Sequence, residues 1–136
     1  MRRRLIVIGA AALITSGAWI AVETSGPTGE ACAAPVATSF AGDILPIFRG
    51  YCFECRQPGG LGNSKSGLDL SSYEIVMQGT KYGAMVVPGD PEASNLVWLL
   101  EWRGAPETRM PLGHHKLSAC ERNTIRAWIM EGAKNN

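Results

Sequence analysis

The sequence carries little net charge and few histidines. Its 136 residues contain 13 lysines and arginines, 12 aspartates and glutamates, and two histidines, giving a formal net charge of +1. No basic stripe favours nucleic-acid binding, and no strong net field would steer a charged partner. No Ser/His/Asp or paired-acid arrangement points to hydrolysis. We therefore predict a protein that is not an enzyme and does not bind nucleic acid.

Period-two alternation of polar and apolar residues is also missing. No stretch alternates for long enough to predict a strand, whereas several short segments repeat apolar residues at helical spacing. The predicted fold class is all-α, with about four short helices and long loops rich in glycine and proline. A thioredoxin-type redox motif is not expected, because it needs a βαβ surrounding.

One long apolar run stands near the N-terminus. Arg2, Arg3 and Arg4 precede an uncharged segment at residues 5–22. Such a segment predicts a signal peptide or a transmembrane anchor, with the rest of the chain outside the cytoplasm. The predicted location is the periplasmic side of the bacterial inner membrane, or the soluble periplasm if the signal is cleaved. Residues 23–39 are small, polar and proline-bearing, which predicts a linker before a domain at 40–136.

The first half of the domain predicts two helices and a loop. Apolar spacing from Phe40 indicates a first helix that runs into the cysteine pair, with Pro46 near its first turn. Residues 57–70 are rich in glycine and serine, so we expect an irregular loop there. Ser71 and Glu74 then match a capping box for a second helix that ends near Gly79.

The second half predicts two more helices. Asp90 is the expected N-cap of a third helix that runs to about Trp102. Ser118 and Glu121 match a second capping box, and Gly132 is the expected stop of the last helix. Four short helices bury little apolar area, so a cofactor or cross-link is expected to complete the core.

Cys52 and Cys55 are the residues to which such a group would attach. A c-type haem needs two thiols at i and i+3, normally followed by a histidine that binds the iron. Here Arg56 follows instead, and a guanidinium stays protonated and offers no lone pair to a metal. The pair therefore leaves three interpretations open, which are haem attachment, a metal site and a disulfide.

The sequence resembles a known family over residues 40–136. The segments "DILPIFRGYCFEC", "SGLDLSSYEIV", "VVPGDPEASNL", "RMPLG" and "LSACERNTIRAWIMEGA" are similar to the planctomycete-type single-haem c-type cytochrome domains. The resemblance implies a class I cytochrome c fold, in which the first and last helices cross beside a haem. It implies thioether attachment at Cys52 and Cys55 and a distal iron ligand at Met110, with Arg56 at the usual position of the proximal histidine.

The function implied by the resemblance is electron transfer. The protein would serve a redox protein or a larger electron-transfer complex, tethered to the membrane through residues 5–22 or soluble in the periplasm. His114 and His115 are candidate substitute ligands for the iron, since they are the only histidines.

Two alternatives to haem c are retained. Cys52, Cys55, Met110 and His114 form a soft ligand set that would suit copper, and thiolates with histidine would suit zinc. In the other alternative the protein has no cofactor. It is then a structural or interaction subunit of a membrane complex, with Cys52 and Cys55 as a disulfide.

The other two cysteines are not part of this motif. Cys120 falls in the first turn of the predicted last helix, where we expect a buried thiol. A disulfide between Cys120 and Cys32 is the alternative.

Overall fold

The computed structural model describes residues 37–136, and this part of the chain contains six short α-helices and no strand. A single isolated bridge joins Thr80 and Gly83. The prediction of an all-α domain is confirmed, although the helices are shorter and more numerous than expected. In chain order they are α1 (Leu45–Tyr51), α2 (Phe53–Arg56), α3 (Leu61–Ser66), α4 (Tyr73–Gln78), α5 (Asn95–Leu100) and α6 (Ala119–Met130).

The helix that leads to the cysteines begins as a π-helical turn, Phe40–Ile44, which continues directly into α1. Ser39 caps the turn, since its Oγ accepts a hydrogen bond of 3.1 Å from the amide of Gly42. Pro46 lies in the first turn of α1, as predicted, where its missing N–H costs least. The helix breaks at Cys52, so the two cysteines lie at the break and in α2 rather than on one continuous helix.

The predicted loop at residues 57–70 contains a helix, so that prediction is wrong. α3 forms despite its glycine and serine content and ends at Gly67, whose φ of 78° is the left-handed conformation that favours glycine. The guanidinium of Arg56 binds the carbonyl oxygen of Gly62 and the hydroxyl of Ser66, which fixes this segment. Contacts from outside the segment therefore override its poor helix propensity.

α4 occupies the predicted place but starts differently. Its N-cap is Ser72, and no side-chain capping bond is made there. The capping box expected from Ser71 and Glu74 is therefore wrong. The predicted end is confirmed, because Gly79 takes a φ of 80° directly after the last residue of α4.

α5 begins later than predicted. Asp90 caps a turn rather than the helix, since its Oδ1 accepts hydrogen bonds of 3.0 Å from the amides of Glu92 and Ala93. The helix itself starts after Ser94, whose buried hydroxyl donates to the carbonyl oxygen of Asp90 over 2.8 Å. It ends at Leu100, and Trp102 then adopts a left-handed φ of 58°.

α6 is the helix that the sequence predicts best. The Ser118 hydroxyl accepts from the amide of Glu121 over 3.2 Å, and the Glu121 carboxylate accepts from the amide of Ser118 over 2.8 Å. The capping box is thus confirmed, as is the stop, where Gly132 has a φ of 96°.

The core joins the first and last helical segments. Phe40 packs its ring 5.5 Å from Trp128 and 5.3 Å from Tyr73, measured between ring centroids. Trp128 is fully buried, and the Tyr73 hydroxyl donates to the carbonyl oxygen of Ala133 over 2.9 Å. α2 packs against α3 elsewhere in the domain.

Within residues 37–136, no helix has the length and apolar character needed to cross a bilayer. The predicted signal or anchor at residues 5–22 and most of the predicted linker lie outside the described residues.

Candidate functional site

A cavity of about 380 Å³ lies between α2, α3 and the loop before α6. Its wall brings together five residues singled out in the sequence, Cys52, Cys55, Arg56, Met110 and His114. Most of the remaining wall is apolar and includes Leu68, Leu70, Met85, Leu96, Leu99 and Leu100. Residues predicted to share one site are therefore gathered around one apolar space.

A second cavity, of about 450 Å³, lies beside the first. Arg56 and Met110 belong to the walls of both cavities. The aromatic residues of the second wall are Tyr82 and Trp98. The contact between Arg56 and Met110 thus lies at the boundary between two neighbouring cavities.

Cys52 and Cys55 are both free thiols, in different surroundings. Cys52 is half-buried at the break between α1 and α2, whereas Cys55 is exposed. Burial raises the pKa of Cys52 to about 11, although the nearby charge of Arg56 acts to lower it. Cys52 is therefore protonated at neutral pH. The structure thus has two thiols where the haem-free alternative expected a disulfide.

The side chain of Arg56 points into the site and is held there. Its Nη1 donates to the carbonyl oxygen of Gly62 over 2.9 Å and to the hydroxyl of Ser66 over 2.8 Å. Its Nη2 lies 3.6 Å from the sulfur of Met110. Burial lowers the pKa of Arg56, but a guanidinium remains charged in proteins.

Two glycines make room for this arrangement. A Cβ added at Gly62 would lie 2.9 Å from both Cζ and Nε of Arg56, and one at Gly60 would lie 2.6 Å from the carbonyl oxygen of Cys55. Neither position tolerates a side chain without a shift of its neighbours. Sequence patterns do not identify Gly62 and Ser66 as partners of Arg56, because they predict a loop for this segment.

Met110 is positioned by the end of α5. Its amide donates to the carbonyl oxygen of Leu99 over 3.2 Å, and its carbonyl oxygen accepts from Nε1 of Trp102 over 2.8 Å. The guanidinium carbon of Arg109 lies 5.4 Å from the centroid of the Trp102 ring, within the range of a cation–π contact. The backbone of Met110 is thereby fixed on both sides of its side chain.

Ion pairs join the loop that carries Met110 to α6. The carboxylate of Glu101 lies 3.2 Å from Nζ of Lys116 and 3.1 Å from Nε of Arg122. Burial raises the pKa of Glu101, but the hydrogen bonds and charges of Lys116 and Arg122 lower it by more, and the net pKa falls below its ordinary value. Glu101 thus connects the end of α5 both to the C-terminal end of this loop and to α6.

The two histidines lie differently with respect to the cavity. His114 is on its wall, while His115 is not among the residues that line it, and both side chains are exposed. Among residues 37–136, no three His, Cys, Asp or Glu side chains cluster in a way that could hold a metal ion.

Cys120 differs from expectation. It is half-buried and disulfide-bonded, so the prediction of a buried thiol is wrong. Cys32, the partner considered for it, lies outside the described residues.

The residues of the first cavity fit a haem in part. The two free thiols at its edge, its apolar walls and the thioether of Met110 suit covalent attachment and one axial ligand. Arg56 does not fit, because it cannot ligate iron and its guanidinium already contacts the Met110 sulfur. The chain therefore offers the means of attachment without the usual proximal ligand.

A small helical domain with a CxxC pair beside an apolar cavity is similar to the c-type cytochrome domains as a class. The family model described as Planctomycete cytochrome C matches residues 52–111. This confirms the resemblance predicted from the sequence over the segment that contains Cys52, Cys55, Arg56 and Met110, and it indicates a redox or electron-transfer role in general. No curated protein and no solved structure is significantly similar to the chain.

Proposed function

We propose that the protein is a single-haem electron carrier with a class I cytochrome c fold. It would exchange electrons with a larger redox complex on the periplasmic side of the inner membrane, anchored by residues 5–22 or released by cleavage. The observation that carries this proposal is the pair of free thiols, Cys52 and Cys55, at the edge of an apolar cavity that also holds the sulfur of Met110. The disulfide at Cys120 supports the location, because structural disulfides persist in oxidising compartments.

When bound, haem c supplies a redox centre that gains and loses one electron. In this proposal Cys52 and Cys55 hold it covalently, and Met110 offers its sulfur to the iron from a backbone fixed by Leu99 and Trp102. The leucines of the cavity wall exclude water. Arg56 contributes a positive charge instead of a ligand, and His114 is the nearest imidazole on the wall.

Intact mass and the visible spectrum test the proposal directly. The full chain should gain the mass of one haem group, and a pyridine haemochrome spectrum should show two thioether bonds. Because Arg56 cannot be a ligand, the iron should be high-spin or readily bound by added cyanide or carbon monoxide. A haem-free mass contradicts the proposal, and an ordinary low-spin spectrum that resists both ligands contradicts the assigned ligand set.

A second candidate function is a haem-free interaction subunit that braces a membrane complex. Its supporting observation is the side chain of Arg56, which donates hydrogen bonds to Gly62 and Ser66 inside the site and so connects α2 to α3 without a cofactor. Under this proposal the intact mass shows no haem, and the purified domain still unfolds cooperatively. A domain that unfolds non-cooperatively whenever haem is withheld would contradict it.

A further inference from the structure

Arg56 is a half-buried cation without an anionic partner. Among the described residues, its hydrogen-bond acceptors are one carbonyl oxygen, one hydroxyl and one thioether sulfur, and no carboxylate forms an ion pair with it. A guanidinium has five N–H groups, so two remain without a protein acceptor. A half-buried guanidinium with free N–H groups can give an anion charge-assisted hydrogen bonds, so an anion at this position would be stabilised.

The surroundings of Arg56 are suited to the body of an apolar ligand. The first cavity has a volume of about 380 Å³, which lies within the range of about 300–1,000 Å³ typical of small-molecule sites. Its walls are mainly apolar, with leucine as the most frequent residue, and Arg56 lies where this cavity meets the second one. A half-buried cation in a largely apolar wall is the complement of a molecule with one acidic group and an apolar body.

The other charged groups on the first wall are Lys65 and Glu107, and both are exposed. Lys65 adds to the attraction for an anion, whereas Glu107 opposes it. Both act mainly through solvent, where charges interact weakly. Arg56 is therefore the group that decides which charge the cavity accepts.

We propose that the domain without covalent haem binds an apolar monocarboxylic acid in this cavity. The carboxylate pairs with the guanidinium of Arg56, which can offer it two N–H groups, and the hydrocarbon part lies against the leucine wall. This inference goes beyond electron transfer and does not depend on it, since it concerns the same cavity when no haem occupies it.

The test uses the full chain with Cys52→Ser and Cys55→Ser, which cannot attach haem. Decanoate and decanol are titrated into it by calorimetry, because the two share their hydrocarbon chain and differ in charge. A charged hydrogen bond contributes about 1.5–3 kcal/mol, so decanoate should bind at least about tenfold more tightly than decanol. Arg56→Gln should abolish that difference. Arg103→Gln, which removes the same charge from an arginine outside both cavities, should preserve it.

Several results would overturn the inference. The result with Arg56 intact would do so if decanoate did not bind, or if it bound no more tightly than decanol. The variants would do so if Arg56→Gln kept the preference for decanoate, or if Arg103→Gln lost that preference as fully as Arg56→Gln does. Cooperative urea unfolding of each variant shows that the fold is intact. If the double cysteine variant does not fold, the unmodified chain from a host without a haem-attachment system takes its place, with its haem-free state verified by mass. Because this test uses haem-free protein, its failure leaves the electron-carrier proposal unaffected.

Discussion

Nη2 of Arg56 lies 3.6 Å from the sulfur of Met110, although the two residues are 54 positions apart in the chain. The resemblance to cytochrome domains puts the two axial ligands of a haem iron at these positions. In this protein the guanidinium at the first position instead contacts the thioether sulfur at the second position directly. The contact therefore joins the residue that departs from the cytochrome motif to the residue that matches its distal ligand in the resemblance.

Arg56→His should give the iron a conventional proximal ligand. If the wild type carries haem, the variant should change from a high-spin to a low-spin spectrum and resist added cyanide. If the wild type is haem-free, the variant should gain the mass of one haem group. Intact mass and visible spectra measure both outcomes, with Arg56→Gln as the control that removes the charge and supplies no ligand. No change in either measurement would mean that the site differs from a working haem site in more than this residue.

Gly62→Ala should disturb the position of Arg56. The new Cβ would lie 2.9 Å from Cζ and Nε of Arg56, and such overpacking costs about 1–3 kcal/mol in the free energy of unfolding. Gly50→Ala is the matched control, because a Cβ there meets nothing within 4 Å and lies within α1. It should be neutral or stabilising by up to about 1 kcal/mol. Equal urea midpoints for the two variants would contradict the close packing described for Gly62.

Alkylation should distinguish the two thiols in haem-free protein. Burial raises the pKa of Cys52 to about 11, so its reactive thiolate is scarce at pH 8, whereas Cys55 is exposed. Iodoacetamide should therefore modify Cys52 more slowly than Cys55 by about tenfold or more, as measured by peptide mass spectrometry. Arg56→Gln should slow Cys52 further, because the charge of Arg56 favours its thiolate. Equal rates at the two cysteines would argue against the burial of Cys52.

The ion pairs of Glu101 should make stability depend on pH. The folded-state pKa of this carboxylate is lowered, so its stabilising effect is present above the ordinary pKa of 4.5 and is lost as the pH falls through the folded value. The free energy of unfolding, measured in urea from pH 6 to pH 2, should decrease over this window. Glu101→Gln should reduce the slope and cost about 1 kcal/mol at pH 7.

Glu54→Gln makes the same chemical change outside this cluster, at an exposed position of α2. This variant should keep the pH dependence of the free energy of unfolding that Glu101 contributes. If Glu101→Gln has the same slope as the wild type, the ion pairs with Lys116 and Arg122 do not contribute to stability in solution.

Sequence patterns predicted the helix ends that are fixed by residues close to them in the chain. The start and end of α6 follow from Ser118, Glu121 and Gly132, all within or next to the helix. The end of α4 at Gly79 is local in the same way. By contrast, Asp90 has the sequence signature of a helix N-cap, but in the structure it caps a turn. The buried hydroxyl of Ser94 binds the carbonyl oxygen of Asp90, and the helix begins only after Ser94.

The arrangement at the site could not be predicted from sequence patterns. The pattern identified Cys52, Cys55, Arg56 and Met110, but not that the guanidinium of Arg56 would reach the sulfur of Met110. Arginine has many rotamers, and its direction is set by acceptors that the fold brings near it. Two of these acceptors, Gly62 and Ser66, lie on α3, a helix that propensity alone assigns to a loop.

The two ends of the described domain are joined to each other. Asn136 accepts a hydrogen bond of 2.6 Å from the Ser39 hydroxyl and one of 3.1 Å from the amide of Phe40, and the Glu131 carboxylate accepts one of 2.9 Å from the amide of Thr38. None of these residues lines either cavity. A force applied at Thr38 or Ser39 would thus be transmitted to the C-terminal turn. Because these contacts lie outside both cavities, a force on the N-terminal end of the domain would reach the C-terminal turn without acting on the site directly.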